Sequence, residues 1–252
     1  RSQADDIQHL HGYPALGQQV GEWIDRSRFV PRYNVAPRSQ APVLRRREAA
    51  ASEGADKLVL HTMKWGLVPH WSKSESKTLN TINARSESLV EGGGMWGSIK
   101  SRKRCVVPAQ GYYEWQKKGT ERVPHFTRHK TGKLMLLAGL YDTAAVEGRS
   151  PDPLWTFTVV TTAASKELAW LHDRQPVILT SEADIHAWLD TRSQTWTAAL
   201  NTLLDPYHDA ASPLECYPVP KEVGKVGAES STFVEPISRR KDGLEALFAK
   251  QQ

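Results

Sequence analysis

Short apolar segments rich in β-branched and aromatic residues return along this chain at close intervals. No regular helix separates them. This rhythm constrains the fold more than any other feature of the sequence. Residues 58–63, 104–108, 111–115, 124–127, 134–138 and 154–160 each read as strands, with further ones around Val43-Leu44 and over 214–219. Lys117-Lys118-Gly119-Thr120 reads as the turn of a hairpin. Helical signals are fewer. Leu16, Val20, Trp23 and Ile24 share a face if 16–24 is a helix, and 164–171 reads as a short one. Ser181-Glu182-Ala183-Asp184 resembles a capping box and leads into Ile185, Trp188 and Leu189 at helical spacing. Trp196, Leu200, Leu203 and Leu204 form another apolar stripe. The charged, small-residue stretch 45–57 reads as an exposed hairpin loop. Many strands with peripheral helices and no βαβ alternation predict one α+β domain. Its core is a mostly antiparallel β-sheet or barrel.

Composition narrows the functional classes. The chain has 252 residues and a formal net charge of +5, which suits a polyanionic partner without requiring one. No apolar run approaches the roughly 18 residues of a membrane span, and residues 1–6 carry no apolar signal region. Cys105 and Cys216 fit no metal or disulfide pattern and read as structural thiols in a reducing compartment. No P-loop, GxSxG, HExxH or CxxC motif occurs. Nine tryptophans are many for this length. They serve packing, or some of them stack on bases.

Several polar residues sit inside strongly patterned segments. Glu114, within Gly111-Tyr112-Tyr113-Glu114-Trp115, is a carboxylate among aromatics, suited to general acid–base work or simply the outward residue of an exposed strand face. His172 falls where a short helix gives way to a strand, a place for a functional side chain or for a helix-end cap. Asn83 and Arg85 are two apart in a strand-like run. An Asn there donates to an oxygen or caps a turn. The Arg clamps a phosphate or forms a surface ion pair. Trp65-Gly66-Leu67-Val68-Pro69-His70-Trp71 offers a stacking platform or ordinary packing.

The order of these segments is more specific than any one of them. Arg32-Tyr33-Asn34-Val35-Ala36-Pro37, Trp65-Gly66-Leu67-Val68-Pro69, Asn83-Ala84-Arg85, Arg104-Cys105-Val106-Val107-Pro108 with Gly111 to Trp115, and His172-Asp173-Arg174-Gln175-Pro176-Val177-Ile178-Leu179 follow one another. In that order they resemble the SOS-response-associated peptidase (SRAP) family. The resemblance covers about 30–237. It implies a domain over 1–237, followed by a tail over 238–252.

The resemblance also implies a function: sensing and shielding abasic sites in single-stranded DNA. Family members start Met-Cys-Gly-Arg and remove the Met autocatalytically. The new N-terminal Cys closes a thiazolidine ring on the aldehyde of the opened sugar, giving a covalent DNA–protein crosslink. Implied catalytic residues are Asn83 on the amine and sugar, Glu114 as proton shuttle and His172 in ring opening and crosslink release. Implied DNA-binding residues are Asn34 and Pro37 lining the pocket, Arg85 and Arg174 on phosphates, Trp71 against the base stack and Thr161 at the pocket edge. Gly92-Gly93-Gly94 stands where a basic residue is expected, so phosphate contacts there are expected to be weaker or to move to Lys100, Arg102 and Lys103. The implied partner is single-stranded DNA, bound by a nuclear monomer without cofactor, metal or membrane. The chain begins at Arg1, so the strand bearing the Cys is expected to be missing, and the chain as written is expected not to form the stable crosslink. Two alternatives remain at this level: a non-covalent single-strand-binding module, and a cysteine-type peptidase acting on other proteins.

Overall fold

The computed structural model describes residues 3–47, 57–75, 81–148 and 151–239. Its centre is a ring of five strands: β2 (Gln40–Arg46), β3 (Leu58–Trp65), β5 (Arg104–Ala109), β8 (Met135–Ala144) and β9 (Leu154–Ala163). The neighbours β3–β2, β2–β5, β5–β8 and β8–β9 are antiparallel. A short parallel pairing, Lys64 with Thr156 and Trp65 with Phe157, joins β9 back to β3 and closes the ring. Closure removes the open edges that a flat sheet of these strands would expose. Three strands extend it: β1 (Val20–Ile24) lies parallel to β3, β4 (Asn83–Arg85) parallel to β9, and β10 (Arg174–Pro176) antiparallel to β9. A separate antiparallel sheet holds β6 (Tyr112–Lys118), β7 (Glu121–His129) and β11 (Leu214–Pro218). The β6–β7 hairpin turns at Gly119-Thr120, with Gly119 at φ +59, as its turn residues predict. The expected α+β class with a β-barrel core is what the structure has.

Alternation along the strands divides the core. One set of side chains, including Leu44, Leu60, Val106, Ala138 and Val160, packs against residues of α3 (Ser86–Glu91), α4 (Gly94–Ile99), α5 (Glu182–Leu189) and α6 (Ala198–Thr202). The other set faces into the ring. Val43, Met63, Cys105 and Phe157 fill its middle, where Gly139 leaves room: a Cβ there would lie 3.0 Å from the Cys105 sulfur. Cys105 is fully buried and burial pushes its thiol far up, as expected of a structural cysteine. Cys216 is half-buried, with its thiol also raised by burial.

One end of the ring is plugged by charge rather than by aliphatic carbon. Arg45 is buried, with its guanidinium 4.7 Å from the Trp155 ring centre and 5.5 Å from that of Tyr141. Its Nε and Nη2 lie 3.3 and 3.1 Å from His61 Nδ1. His61 must be neutral to accept that bond. Burial first, then the Arg45 charge, lowers its pKa to about 4. The expected exposed loop over 45–57 is therefore corrected at its start. Arg45 and Arg46 belong to β2, and 48–56 lie outside the described residues.

Two helix expectations also fail. Residues 16–24 split into α2 (Pro14–Gly17) and the strand β1. Gly17 and Gly21 weaken helix in that window, and Trp23 is spent on Thr62, its Nε1 donating to Oγ1 at 3.0 Å. Residues 166–171 form successive turns: Leu168 N and Ala169 N both reach the Ser165 carbonyl and Leu171 N that of Leu168, so the bonds do not run on into an i→i−4 ladder. The capping box at Ser181 and Asp184 is present in both directions. Arg104, 1% exposed, donates to the carbonyls of Trp188, Asp190, Lys100 and Ser101, and so ties α5 to the segment after α4. Among the described residues no helix is long and apolar enough to cross a membrane.

The plug has a pH consequence. A histidine with a depressed folded pKa contributes stability that is intact above its unfolded value near 6.5 and lost as pH falls toward 4. His129, buried and likewise held at about 4 by burial, acts in the same direction. Urea unfolding should show a loss on the order of 2–3 kcal/mol between pH 7 and pH 4. His61→Gln, which keeps an acceptor for Arg45, should flatten part of that slope. A slope unchanged by the substitution would contradict the role of His61.

Candidate functional site

The opposite end of the ring is open. Ala41, Trp65, Val107, Leu137 and Val159 floor a cleft of about 940 Å³. Its walls come from six separate pieces of chain: the 32–37 loop, β4, the start of β6, the end of β9, the 172–176 segment and the 223–226 segment. Residues Gln3, Asp6 and Ile7 of α1 (Gln3–Gln8) also reach it. The mouth of a β-barrel with an apolar floor and a few convergent polar groups is a common ligand position.

Eight of the nine singled-out residues line this one cleft: Asn34, Pro37, Asn83, Arg85, Glu114, Thr161, His172 and Arg174. Trp71 does not. It is 55% exposed on the loop after β3, with its ring against that of His70. That loop is firmly held. Val68 N donates to Thr156 Oγ1 at 2.8 Å, and His70 N and Nδ1 lie 2.8 and 3.0 Å from the buried Asp142 carboxylate. Burial opposes the charge on Asp142, but hydrogen bonds from Lys103, His70 and Thr143 outweigh it and hold its pKa below the ordinary value.

Each cleft residue is placed by its backbone. Parallel pairing sets Asn83 beside Val159 and Arg85 beside Thr161, and both side chains are exposed. Arg85 makes no ion pair or side-chain hydrogen bond among the described residues. Glu114 is half-buried on β6, opposite His125, and its Oε1 accepts from Trp115 N at 3.0 Å. The strand can enter there because residue 111 is glycine: a Cβ would meet the Thr127 carbonyl at 2.3 Å. His172 Nδ1 accepts from Arg174 N at 3.0 Å, which leaves Nε2 as the protonated nitrogen of the neutral ring. The exposed Asp173 carboxylate, also 3.0 Å from Nδ1, is the alternative partner when the ring is charged.

Other residues shape the cleft more than they offer donors to it. The Asn34 amide is engaged by the carbonyls of Val223 and Ala228, and Tyr113 Oη donates to the Tyr33 carbonyl. These bonds stitch the 32–37 loop to the C-terminal segment and to β6. The expected alternative phosphate contacts, Lys100, Arg102 and Lys103, each bond within the fold. Lys100 Nζ donates to the Leu89 carbonyl at 2.5 Å, Arg102 to that of Ser98 at 3.0 Å, and Lys103 pairs with Asp142 at 2.6 Å. None of them lines the cleft.

Glu87 is a residue the sequence reading passed over. Its two oxygens take Arg174 Nη1 at 2.5 Å and Nη2 at 3.0 Å, while Nη2 also reaches the Thr161 carbonyl at 2.8 Å. The Arg174 bond lowers the Glu87 carboxyl to about 2. Two of the cleft arginines therefore differ: Arg85 is uncommitted among the described residues, and Arg174 braces α3 to β9 and β10. A carboxylate with a depressed folded pKa stabilises above its ordinary value and stops doing so as pH falls toward 2. Because the pair is partly exposed, Glu87→Gln should cost about 1 kcal/mol at pH 7, and the difference should shrink by pH 3 in thermal unfolding. A constant difference across that range would show that the charge is not what matters.

A profile of the SOS response associated peptidase (SRAP) family matches residues 4–226. The abasic site processing protein YMR114C of Saccharomyces cerevisiae is 36% identical over 218 residues, covering 85% of this chain and 55% of that protein. The abasic site processing protein HMCES of Gallus gallus is 32% identical over 195 residues, covering 69% and 58%. The abasic site processing protein YoqW of Bacillus subtilis is 32% identical over 219 residues, covering 86% and 91%. The chain thus spans little more than half of the yeast and chicken proteins and nearly all of the bacterial one. A crystal structure of a protein from Bacteroides thetaiotaomicron superposes with a TM-score of 0.71 at 22% identity, covering 90% of this chain and 96% of that one, a likeness of fold. The family profile over 4–226 and the near full-length bacterial relative establish that the chain belongs to the SRAP family.

Proposed function

We propose that the cleft receives an abasic nucleotide of single-stranded DNA, and that an N-terminal cysteine carried ahead of Gln3 captures it covalently. The observation that supports this best is convergence. Asn83, Glu114 and His172, from three distant segments, line one cleft together with the uncommitted Arg85. Gln3 of α1 lines it as well, so a chain terminus entering beside Gln3 has a short path to these groups. The two cysteines of the described chain do not suit the task. Both have raised thiol pKa values, and neither lines the cleft.

The chemistry balances with the groups at hand. The free α-amine adds to the aldehyde carbon of the opened sugar and forms a carbinolamine. Loss of one water gives a Schiff base. The cysteine sulfur then adds to the same carbon, its proton passes to nitrogen, and a five-membered thiazolidine results. Glu114 supplies the proton that water departure needs, takes one back from the nitrogen as the Schiff base forms, and relays the thiol proton to that nitrogen at ring closure. Asn83 positions the amine and the sugar oxygen by hydrogen bonds. His172, with Nε2–H available, donates a hydrogen bond to the ring oxygen during sugar opening and assists the reverse reaction. Arg85 holds a flanking phosphate, with Arg32 and Lys225 adding positive charge to the cleft wall. The basic formal charge of the chain supports the same polyanionic partner. Autocatalytic removal of the initiator Met exposes the amine, and the nucleus is the proposed place of action.

A denaturing gel tests the reading. A chain carrying Met-Cys-Gly-Arg and a first strand ahead of Arg1 should give a heat-stable shifted band with an oligonucleotide bearing one abasic site. The chain as given should not. Glu114→Gln should slow band formation roughly 100-fold or more, and Asn83→Ala should slow it to a lesser degree, both with melting temperature and non-covalent binding retained. No band from the extended chain would overturn the covalent reading. Arg85→Ala should weaken binding alike for all sequences and reduce the salt slope by about 0.7. A sequence-dependent loss would point instead to base contact.

A further inference from the structure

Trp170 is 49% exposed and plays no part in the chemistry above. Several ties fix its place. Its carbonyl accepts from Gln116 Nε2 on β6 at 3.3 Å. Its ring meets the ring of His125 at 5.2 Å, nearly perpendicular, and His125 is the cross-strand partner of Glu114. Two residues further along the chain is His172. Trp170 therefore stands where the Glu114 wall and the His172 wall of the cleft approach each other, at the end of β9 where Ala163 pairs with Arg174.

The other exposed tryptophan near this path, Trp71, sits on a loop anchored at Thr156 and Asp142, which pair with each other near the start of β9. From Thr156 to Ala163 an extended strand runs roughly 23 Å. Asn83 and Arg85 lie alongside the intervening Val159 and Thr161. Two half-exposed indoles thus flank the cleft residues, one toward each end of β9. Both sit on segments anchored by hydrogen bonds, so little loop freedom is lost when a flat group lands on them.

We propose that Trp170 is a base-stacking platform for the arm of single-stranded DNA that leaves the cleft on the His172 side. This rests on the cleft reading above and adds to it a second contact, beyond the lesion itself. Stacking on an indole tolerates every base, because each has a π-face. The contact is therefore sequence-neutral and independent of the salt-sensitive phosphate contacts.

Equilibrium anisotropy with the full chain tests it, using three labelled oligonucleotides bearing a stable abasic analogue: one with both arms long, and one truncated on each side. On the two-armed oligonucleotide Trp170→Ala should weaken binding roughly 5- to 100-fold, with the salt slope unchanged. On one of the truncated oligonucleotides, the one lacking the stacked arm, the loss should vanish. Trp170→Phe should restore most of the affinity. Trp170→Leu, which still covers His125 but has no π-face, should not. An equal loss on all three oligonucleotides, or full rescue by Leu, would overturn the proposal in favour of a packing role. Parent binding with an unchanged Trp170→Ala variant would overturn it alone. Absence of parent binding to any of the three would overturn it together with the cleft reading.

Discussion

Everything in this molecule follows from a five-stranded ring that is stoppered at one end and open at the other. The stopper is Arg45, a buried guanidinium held by the faces of Trp155 and Tyr141 and by a neutral His61. An isolated buried charge would cost several kcal/mol. Here, aromatic faces and an imidazole nitrogen replace part of the lost hydration, and the Asp25 carboxylate 3.6 Å from His61 Nε2 adds a nearby negative charge. With that end filled and the middle packed by Val43, Met63, Cys105 and Phe157, a large inward-facing space remains at the other mouth, where the apolar layer ends on Trp65, Val107 and Val159.

That mouth is an assembly point because the topology brings distant segments to it. The parallel pairing of β4 on β9 presents Asn83 and Arg85. The antiparallel β10 presents Arg174 with His172 just ahead of it. The second sheet delivers Glu114. Between these pieces the Glu87–Arg174 pair acts as a brace, and bonds from Asn34 and Tyr113 do the same for the 32–37 loop. Asn83 and Arg85, which make no side-chain bond among the described residues, are free for the positioning roles proposed for them. Division of labour between a bound and an unbound arginine is a more specific statement than a basic cleft, and it separates positioning from ligand contact.

Much of this was legible in the sequence, for identifiable reasons. Strands such as β3, β8 and β9 are long runs of β-branched and apolar residues, and the Gly119 turn and the Ser181 capping box are local devices whose chemistry does not depend on the rest of the chain. The convergence of Asn83, Glu114 and His172 was anticipated only through the family resemblance, since nothing local joins segments so far apart. What escaped was tertiary. Val20, Trp23 and Ile24 fit a helix face on paper but pair with β3 in space. Arg45 looks like a surface residue until its aromatic neighbours arrive from β8 and β9. Glu87 has no local signal of its role, because its partner Arg174 arrives only with β10.

The central claim is that one cleft, built from these separate segments, receives the lesion. The most direct measurement is an NMR titration of the isotopically labelled chain with a single-stranded oligonucleotide containing a stable abasic analogue. The account predicts amide shift changes concentrated at 83–85, 111–114, 161 and 172–174, with the 58–61 region of the plugged end unmoved. Changes confined to other surfaces, with these segments silent, would contradict it.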